Sequence, residues 1–283
     1  MPIFESHDGA ELHYDVLGES RSREPIVVLA GGAAHHPQYL GDLAGLDSVR
    51  TLLILHQRGV GRSEAAPLAS WLELASDVAA LRKHLALGRI DLLGHSAGTR
   101  VAVAYAATHP DTLRTLCLLT PPALWLVESE DDREKLIERR RSEPWFDGYE
   151  KARPALEAAE SLEEYQALAS HAAPLGYARW DDRARAQEAL GQPFNPAAKA
   201  FFATPPDRKV AAKLAAVTAP VLVVAGAEDA ITGLAPVLAV ADLFPNGRSV
   251  VIEDAGHFPW VEQPTAFRRA VDAFFTSEPL RKP

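Results

Sequence analysis

Short apolar runs that stop at glycine or a polar loop alternate with helical patterns along most of this chain, and that alternation leaves few folds open. The runs are 25–30 (PIVVLA), 50–55 (RTLLIL), 90–93 (IDLL), 113–119 (LRTLCLL), 220–225 (PVLVVA) and 249–253 (SVVIE). Each is nearly continuous in apolar residues, as a strand is when both faces of its sheet are covered. Between them, 71–85 places Leu72, Ala75, Val78, Ala79, Leu81 and Leu85 near helical spacing, and Gly88 stops it. The alanine-rich segment 97–108 precedes Pro110. Further helical patterns cover 234–243 and 267–275. Strand and helix in alternation predict an α/β fold: a mostly parallel sheet flanked by helices. Residues 12–16 predict an antiparallel edge strand.

The alternation breaks between 121 and 216. Helical patterns at 131–141, 161–171 and 181–190 are punctuated by Pro144, Pro154, Pro174, Pro193 and Pro196. This is too long for a loop in a compact domain. The expectation is a helical cap, 121–216, inserted into a core made of 1–120 and 217–283. A chain of 283 residues suits that arrangement.

The formal net charge is −9, which speaks against nucleic acid or an anionic membrane as partner, since both need clustered Lys and Arg. The basic run Arg139-Arg140-Arg141 follows an acidic run at 128–132, and together they read as a solvated helix face. A single cysteine, Cys117, cannot form an internal disulfide and reads as strand packing. The segment 1–18 lacks a basic stretch followed by an apolar run, so no secretory signal is expected and a cytoplasmic location is the default. No apolar stretch reaches the ~20 residues of a membrane span. There is no phosphate-binding glycine loop and no zinc spacing, so neither cofactor nor metal is expected.

Chemistry concentrates in three turns. Gly94-His95-Ser96-Ala97-Gly98 fits G-x-S-x-G between a strand and a helix. Such a turn lifts the serine hydroxyl above the sheet, and small flanking residues let backbones approach. The helix N-terminus favours developing negative charge, with the Ala97 N–H as one oxyanion donor. A serine hydroxyl is a poor nucleophile without a neighbouring base. Asp229 follows the strand at 220–225, and His257 follows the one at 249–253. All three turns lie at the carboxyl edge of a parallel sheet, where ligands bind in open α/β folds. Glu228 competes with Asp229 for the acid role. His95 reads as structural. The loop Ala30-Gly31-Gly32-Ala33-Ala34-His35-His36 has glycines that let backbone N–H groups reach a substrate oxygen, and Gly32 is the candidate second oxyanion donor.

GHSAG, GAED and DAGHFPW resemble the elbow, acid turn and histidine turn of α/β-hydrolases, and the insertion's position is similar to that superfamily's cap. HQRGVGRS is similar to the D-x-R-G-x-G-x-S segment of capped members. With Gln57 it most resembles the proline iminopeptidase branch, which implies release of an N-terminal residue from small peptides. Two departures stand out: His56 replaces the family's aspartate, and AGGAA replaces its H-G-G-P-G loop. The resemblance implies acyl transfer from a small molecule or short peptide to water, through an acyl-serine. The same triad also serves lyase, C–C hydrolase and cofactor-free oxidoreductase chemistry, and a binding protein can retain the fold. Glu134, Glu138 and Glu143 are candidates for binding a substrate amine. His36, Trp125, Trp145, Phe146 and Trp180 are candidates for lining the substrate pocket.

Overall fold

The computed structural model describes residues 2–19, 24–31, 35–63, 66, 70–159, 162–191, 201 and 204–276. Among them eight strands form one sheet: β1 (Ile3–Glu5), β2 (Glu11–Leu17), β3 (Ile26–Leu29), β4 (Leu52–Leu55), β5 (Ile90–His95), β6 (Leu113–Leu119), β7 (Val221–Gly226) and β8 (Gly247–Ile252). Their spatial order is β1-β2-β4-β3-β5-β6-β7-β8. β2 runs antiparallel to β1 and β4, and every pairing from β4 to β8 is parallel.

The expected edge strand at 12–16 is β2, but it is not at the edge, because β1 pairs with it. Three residues carry too little pattern to announce a strand. The readable signal was Asp8-Gly9, a hairpin dipeptide whose glycine sits at φ 85°.

Burial on both faces explains the continuous apolar runs. In β3, Val27 and Leu29 join an apolar cluster with Leu74 and Val78 of α1 (Trp71–His84) and Val101 and Tyr105 of α2 (Gly98–Thr108). The alternate residues Ile26 and Val28 join a second cluster on the opposite face, with Phe267, Val271 and Phe274 of the C-terminal helix Pro264–Thr276. Cys117 is fully buried in that second cluster.

Between β6 and β7 the described residues hold no strand. They form α3 (Arg133–Glu138), α4 (Phe146–Ala158), α5 (Leu162–Ala172), α6 (Asp182–Glu188) and α7 (Ala211–Leu214). The chain then adds α8 (Ala235–Ala239) after β7, and α9 (Pro259–Glu262) and α10 (Pro264–Thr276) after β8. Pro154 reads as a breaker in the sequence, yet α4 continues through it. A proline there frees the carbonyl of Glu150, four residues back. Both residues are exposed, so water can take the missing donor's place. The helical segment has its own apolar cluster of Leu136, Ile137, Phe146, Tyr149 and Leu175, which also takes in Ala230 beside Asp229. Asp132, expected in a solvated acidic run, instead caps α8 by accepting from the Leu234 and Ala235 N–H groups at 3.0 and 2.9 Å.

The loop after β4 is tied down by charge. Arg58 is 1% exposed and donates to both carboxylate oxygens of Asp77 in α1, at 2.7 and 2.8 Å, and to both of Asp8 at 2.7 Å. The Arg58 fork holds the Asp8 carboxyl well below the usual carboxylate range. Asp77 is as buried as its partner, so removing the arginine leaves a buried carboxylate with the Ser6 hydroxyl as its remaining hydrogen-bond donor. Arg58→Leu is expected to cost about 3–5 kcal/mol, read as a lower urea midpoint at unchanged m-value.

Candidate active site

The strand β5 stops at His95, and the chain reverses through Ser96 with φ 48°, a left-handed conformation that is strained for a residue with a side chain. The glycines around it are forced by contact. A Cβ on Gly94 would lie 3.0 Å from the Gly98 carbonyl oxygen and the Thr99 backbone. One on Gly98 would lie 2.5 Å from the carbonyl oxygens of Leu29 and Ala30. These contacts hold the turn between β3 and β5 and place α2 directly after the serine. Ala97 is the N-cap residue of α2. Its N–H therefore belongs to the first turn, whose donors have no partner inside the helix.

Gly31 comes as close from the other side. A Cβ on it would lie 2.6 Å from the Ser96 Cβ and 3.1 Å from the Ala97 nitrogen. The start of the loop after β3 thus runs against the elbow. The Gly31 N–H itself is directed to the Tyr39 hydroxyl at 2.6 Å. Gly32, the candidate donor, lies outside the described residues.

Asp229 and His257 meet. His257 Nδ1 is 2.9 Å from Asp229 Oδ2, with both side chains buried. Asp229 also accepts from the Ile231 and Thr232 N–H groups at 2.9 and 3.1 Å, and from the Thr232 hydroxyl at 2.5 Å. Its carboxylate plane is held by three donors besides the histidine. Glu228 faces elsewhere: its carboxylate is 3.5 Å from Arg140. Gly226 and Gly256 allow the two turns to touch, since a Cβ on Gly226 would lie 2.0 Å from the Gly256 carbonyl oxygen.

The backbone of His257 is fixed at both ends. Its N–H donates to the Gly176 carbonyl at 2.7 Å. Its carbonyl accepts from the Thr120 hydroxyl and from His95 Nε2, each at 3.1 Å. His95 Nε2 must donate to that carbonyl, so its Nδ1 accepts the Tyr39 O–H at 2.7 Å. One buried chain of hydrogen bonds therefore runs from Gly31 through Tyr39 and His95 to His257. It links the loop after β3, the elbow and the histidine turn. Burial pushes His95 well below the ordinary histidine value and raises Tyr39, so both stay neutral. No pattern in the sequence pointed to Tyr39, because its partners lie 8 and 56 positions away.

The departure at His56 finds a local answer. His56 is fully buried, its Nε2 3.1 Å from Asp15 and its Nδ1 accepting the Arg62 N–H at 3.0 Å. An imidazole acceptor thus closes the turn, and Gly61 leaves room for it. Gln57 donates to the Ala30 carbonyl at 2.7 Å and so steadies the loop beside the elbow.

The remaining candidates are dispersed. His36 caps the turn Pro37–Leu40 by accepting from Gln38, and its ring meets His56 edge-on. Trp125 packs against the core on the α1 and α2 side of the sheet. Phe146 is 2% exposed inside the helical segment's own cluster, and Trp145 flanks it. Trp180 lies 5.5 Å from the Tyr177 ring, with Arg185 over its face. Glu134 is paired with Arg153 and Glu138 with Arg141, all on the surface, and Glu143 is exposed.

A family model described as the alpha/beta hydrolase fold matches residues 24–264. The chain belongs to that family. This α/β hydrolase is 33% identical over 134 residues to a proline iminopeptidase of Lactobacillus acidophilus, covering 42% of this chain and 44% of that one. It thus matches less than half the length of that curated relative. It also superposes on solved structures along nearly its whole length. A thermophilic esterase from Thermogutta terrifontis is 25% identical, with a TM-score of 0.68 and 97% of each chain covered. The esterase RhEst1 from Rhodococcus sp. ECU1013 has a TM-score of 0.76 at 24% identity over 98% of each chain, a likeness of fold. Among the described residues no helix is long and apolar enough to cross a membrane.

Proposed function

We propose that this α/β hydrolase cleaves an ester or amide bond of a small molecule or short peptide, with Ser96 as nucleophile, His257 as general base and Asp229 as the group that orients it. The observation that carries the reading is the 2.9 Å contact between Asp229 and His257 Nδ1, on the turn bonded to the residue before a strained Ser96. With Nδ1 donating to Asp229, Nε2 is the nitrogen left to take the serine proton. Ser96 Oγ then attacks the substrate carbonyl. The oxyanion forms at the start of α2, where the Ala97 N–H stabilises it. His257 returns the proton to the leaving group, and water releases the acyl group by the same route. The helical segment between β6 and β7 acts as a cap that excludes water and selects the substrate.

A second, narrower reading is an iminopeptidase, favoured by the 33% identity to such an enzyme over 134 residues. It requires an acid free to bind the substrate's amine. Of the three candidate acids, Glu134 and Glu138 are already paired with arginines on the surface, which leaves Glu143 to carry it. The broader reading, an ester or an amide, therefore leads.

The deciding experiment compares p-nitrophenyl acyl esters with aminoacyl-p-nitroanilides, proline included, for wild type and Ser96→Ala. Ester turnover that disappears in Ser96→Ala is the expected result. Fast Ser96-dependent anilide cleavage would favour the iminopeptidase. Turnover that survives Ser96→Ala would remove the serine mechanism.

A further inference from the structure

Glu262 ends α9, five residues past His257. Its carboxylate accepts three backbone N–H groups: Gly256 on Oε2 at 2.7 Å, and Ala178 and Arg179 on Oε1 at 2.6 and 3.3 Å. Gly256 immediately precedes His257, whereas Ala178 and Arg179 belong to the helical segment between β6 and β7. The same junction is tight elsewhere. The His257 N–H donates to the Gly176 carbonyl, and a Cβ on Gly256 would lie 2.6 Å from that oxygen and 2.9 Å from the Tyr177 Cα. The Tyr177 ring stacks on Phe258 at 4.9 Å.

We propose that Glu262 is a positioning residue that latches the helical segment to the histidine turn through its two carboxylate oxygens, so that the place of the base depends on the place of the cap. The proposal rests on the hydrolase reading and adds to it a coupling between cap and base.

The latch needs two acceptors. A neutral carboxyl offers one acceptor oxygen and one hydroxyl, which must donate. Facing N–H groups on both sides, it can hold those of one side only. Burial pushes Glu262 up to about 7, against the pull of the three N–H groups and of Arg140. The other charged and titratable groups at the junction are Tyr177, Glu188 bonded to the Tyr177 hydroxyl at 3.3 Å, Arg179, Arg183 donating to the Val261 carbonyl at 3.3 Å, and His257. The sign follows: the latch is complete above about pH 7 and half made below it.

Glu262→Gln keeps the shape but carries one acceptor and one donor, so it stands for the neutral form at every pH. Above pH 7 it is expected to lower kcat/KM by about tenfold or more, the scale of a small misplacement of a catalytic group. The ratio of wild type to Glu262→Gln should fall toward one as the pH drops through about 7. A ratio that is constant with pH, or equal to one throughout, would overturn the latch.

A second readout needs no turnover. In wild type the amide proton shifts of Gly256 and Ala178 should titrate with one common midpoint, and neither should do so in Glu262→Gln. Separate midpoints, or none, would also overturn the proposal. If no Ser96-dependent turnover were found on any ester or anilide, the hydrolase reading would fail, while these shifts would still decide whether the latch exists.

Discussion

His257→Ala is expected to lower kcat by about 10⁴-fold or more while leaving KM largely unchanged. The expectation is this strong because the structure holds no understudy for the base within the same turns. His95 is the neighbouring imidazole, with ring centroids 4.8 Å apart. Both of its nitrogens are engaged, one with Tyr39 and one with the His257 carbonyl. The substitution is also mild toward the fold. The bonds that seat residue 257 come from its own N–H and carbonyl, which alanine retains. Asp229 keeps its bonds to Ile231 and Thr232. Steady-state kinetics with a thermal melt on the same sample checks both halves. A loss of only a few-fold at unchanged melting temperature would mean that another group takes the serine proton.

Asp229→Asn should lower kcat by about 10⁴-fold, and Glu228→Gln should leave it nearly unchanged. An asparagine must choose. Its Oδ1 has to accept from the Ile231 and Thr232 N–H groups, which turns the amide NH2 toward His257 Nδ1. Nδ1 then has to accept, the proton moves to Nε2, and the nitrogen that should receive the serine proton is already occupied. Glu228 lies 3.5 Å from Arg140 with its side chain 31% exposed, a contact of the kind worth about 0–1 kcal/mol. The reverse ranking of the two variants would transfer the orienting role to Glu228.

Most of the sheet was legible because a parallel strand covered on both faces is apolar at every position, and a run such as PVLVVA has no other economical burial. The glycine spacing of GHSAG was legible for a related reason: it records backbone contacts local to one strand–turn–helix unit. β1 escaped because three residues make no periodicity. The continuation of α4 through Pro154 escaped because the proline and the residue whose carbonyl it frees are exposed rather than in the core. Asp132 looked like one acid in a charged run, since its partners at 234 and 235 lie about a hundred residues on.

The sequence by itself determined the fold class, the three turns that carry Ser96, Asp229 and His257, and their common edge of the sheet. Each of these depends on local pattern: burial period, glycine at a crowded turn, and strand polarity. Only the tertiary structure decided that Asp229 rather than Glu228 faces the histidine, that Tyr39 and His95 tie three loops together, and that Glu262 joins the histidine turn to the helical segment. These are choices among side chains of the same chemical type, made by distances between residues far apart in the chain. Composition and spacing are blind to such distances, because a hydrogen bond over about 3 Å leaves no trace in the order of the residues that make it.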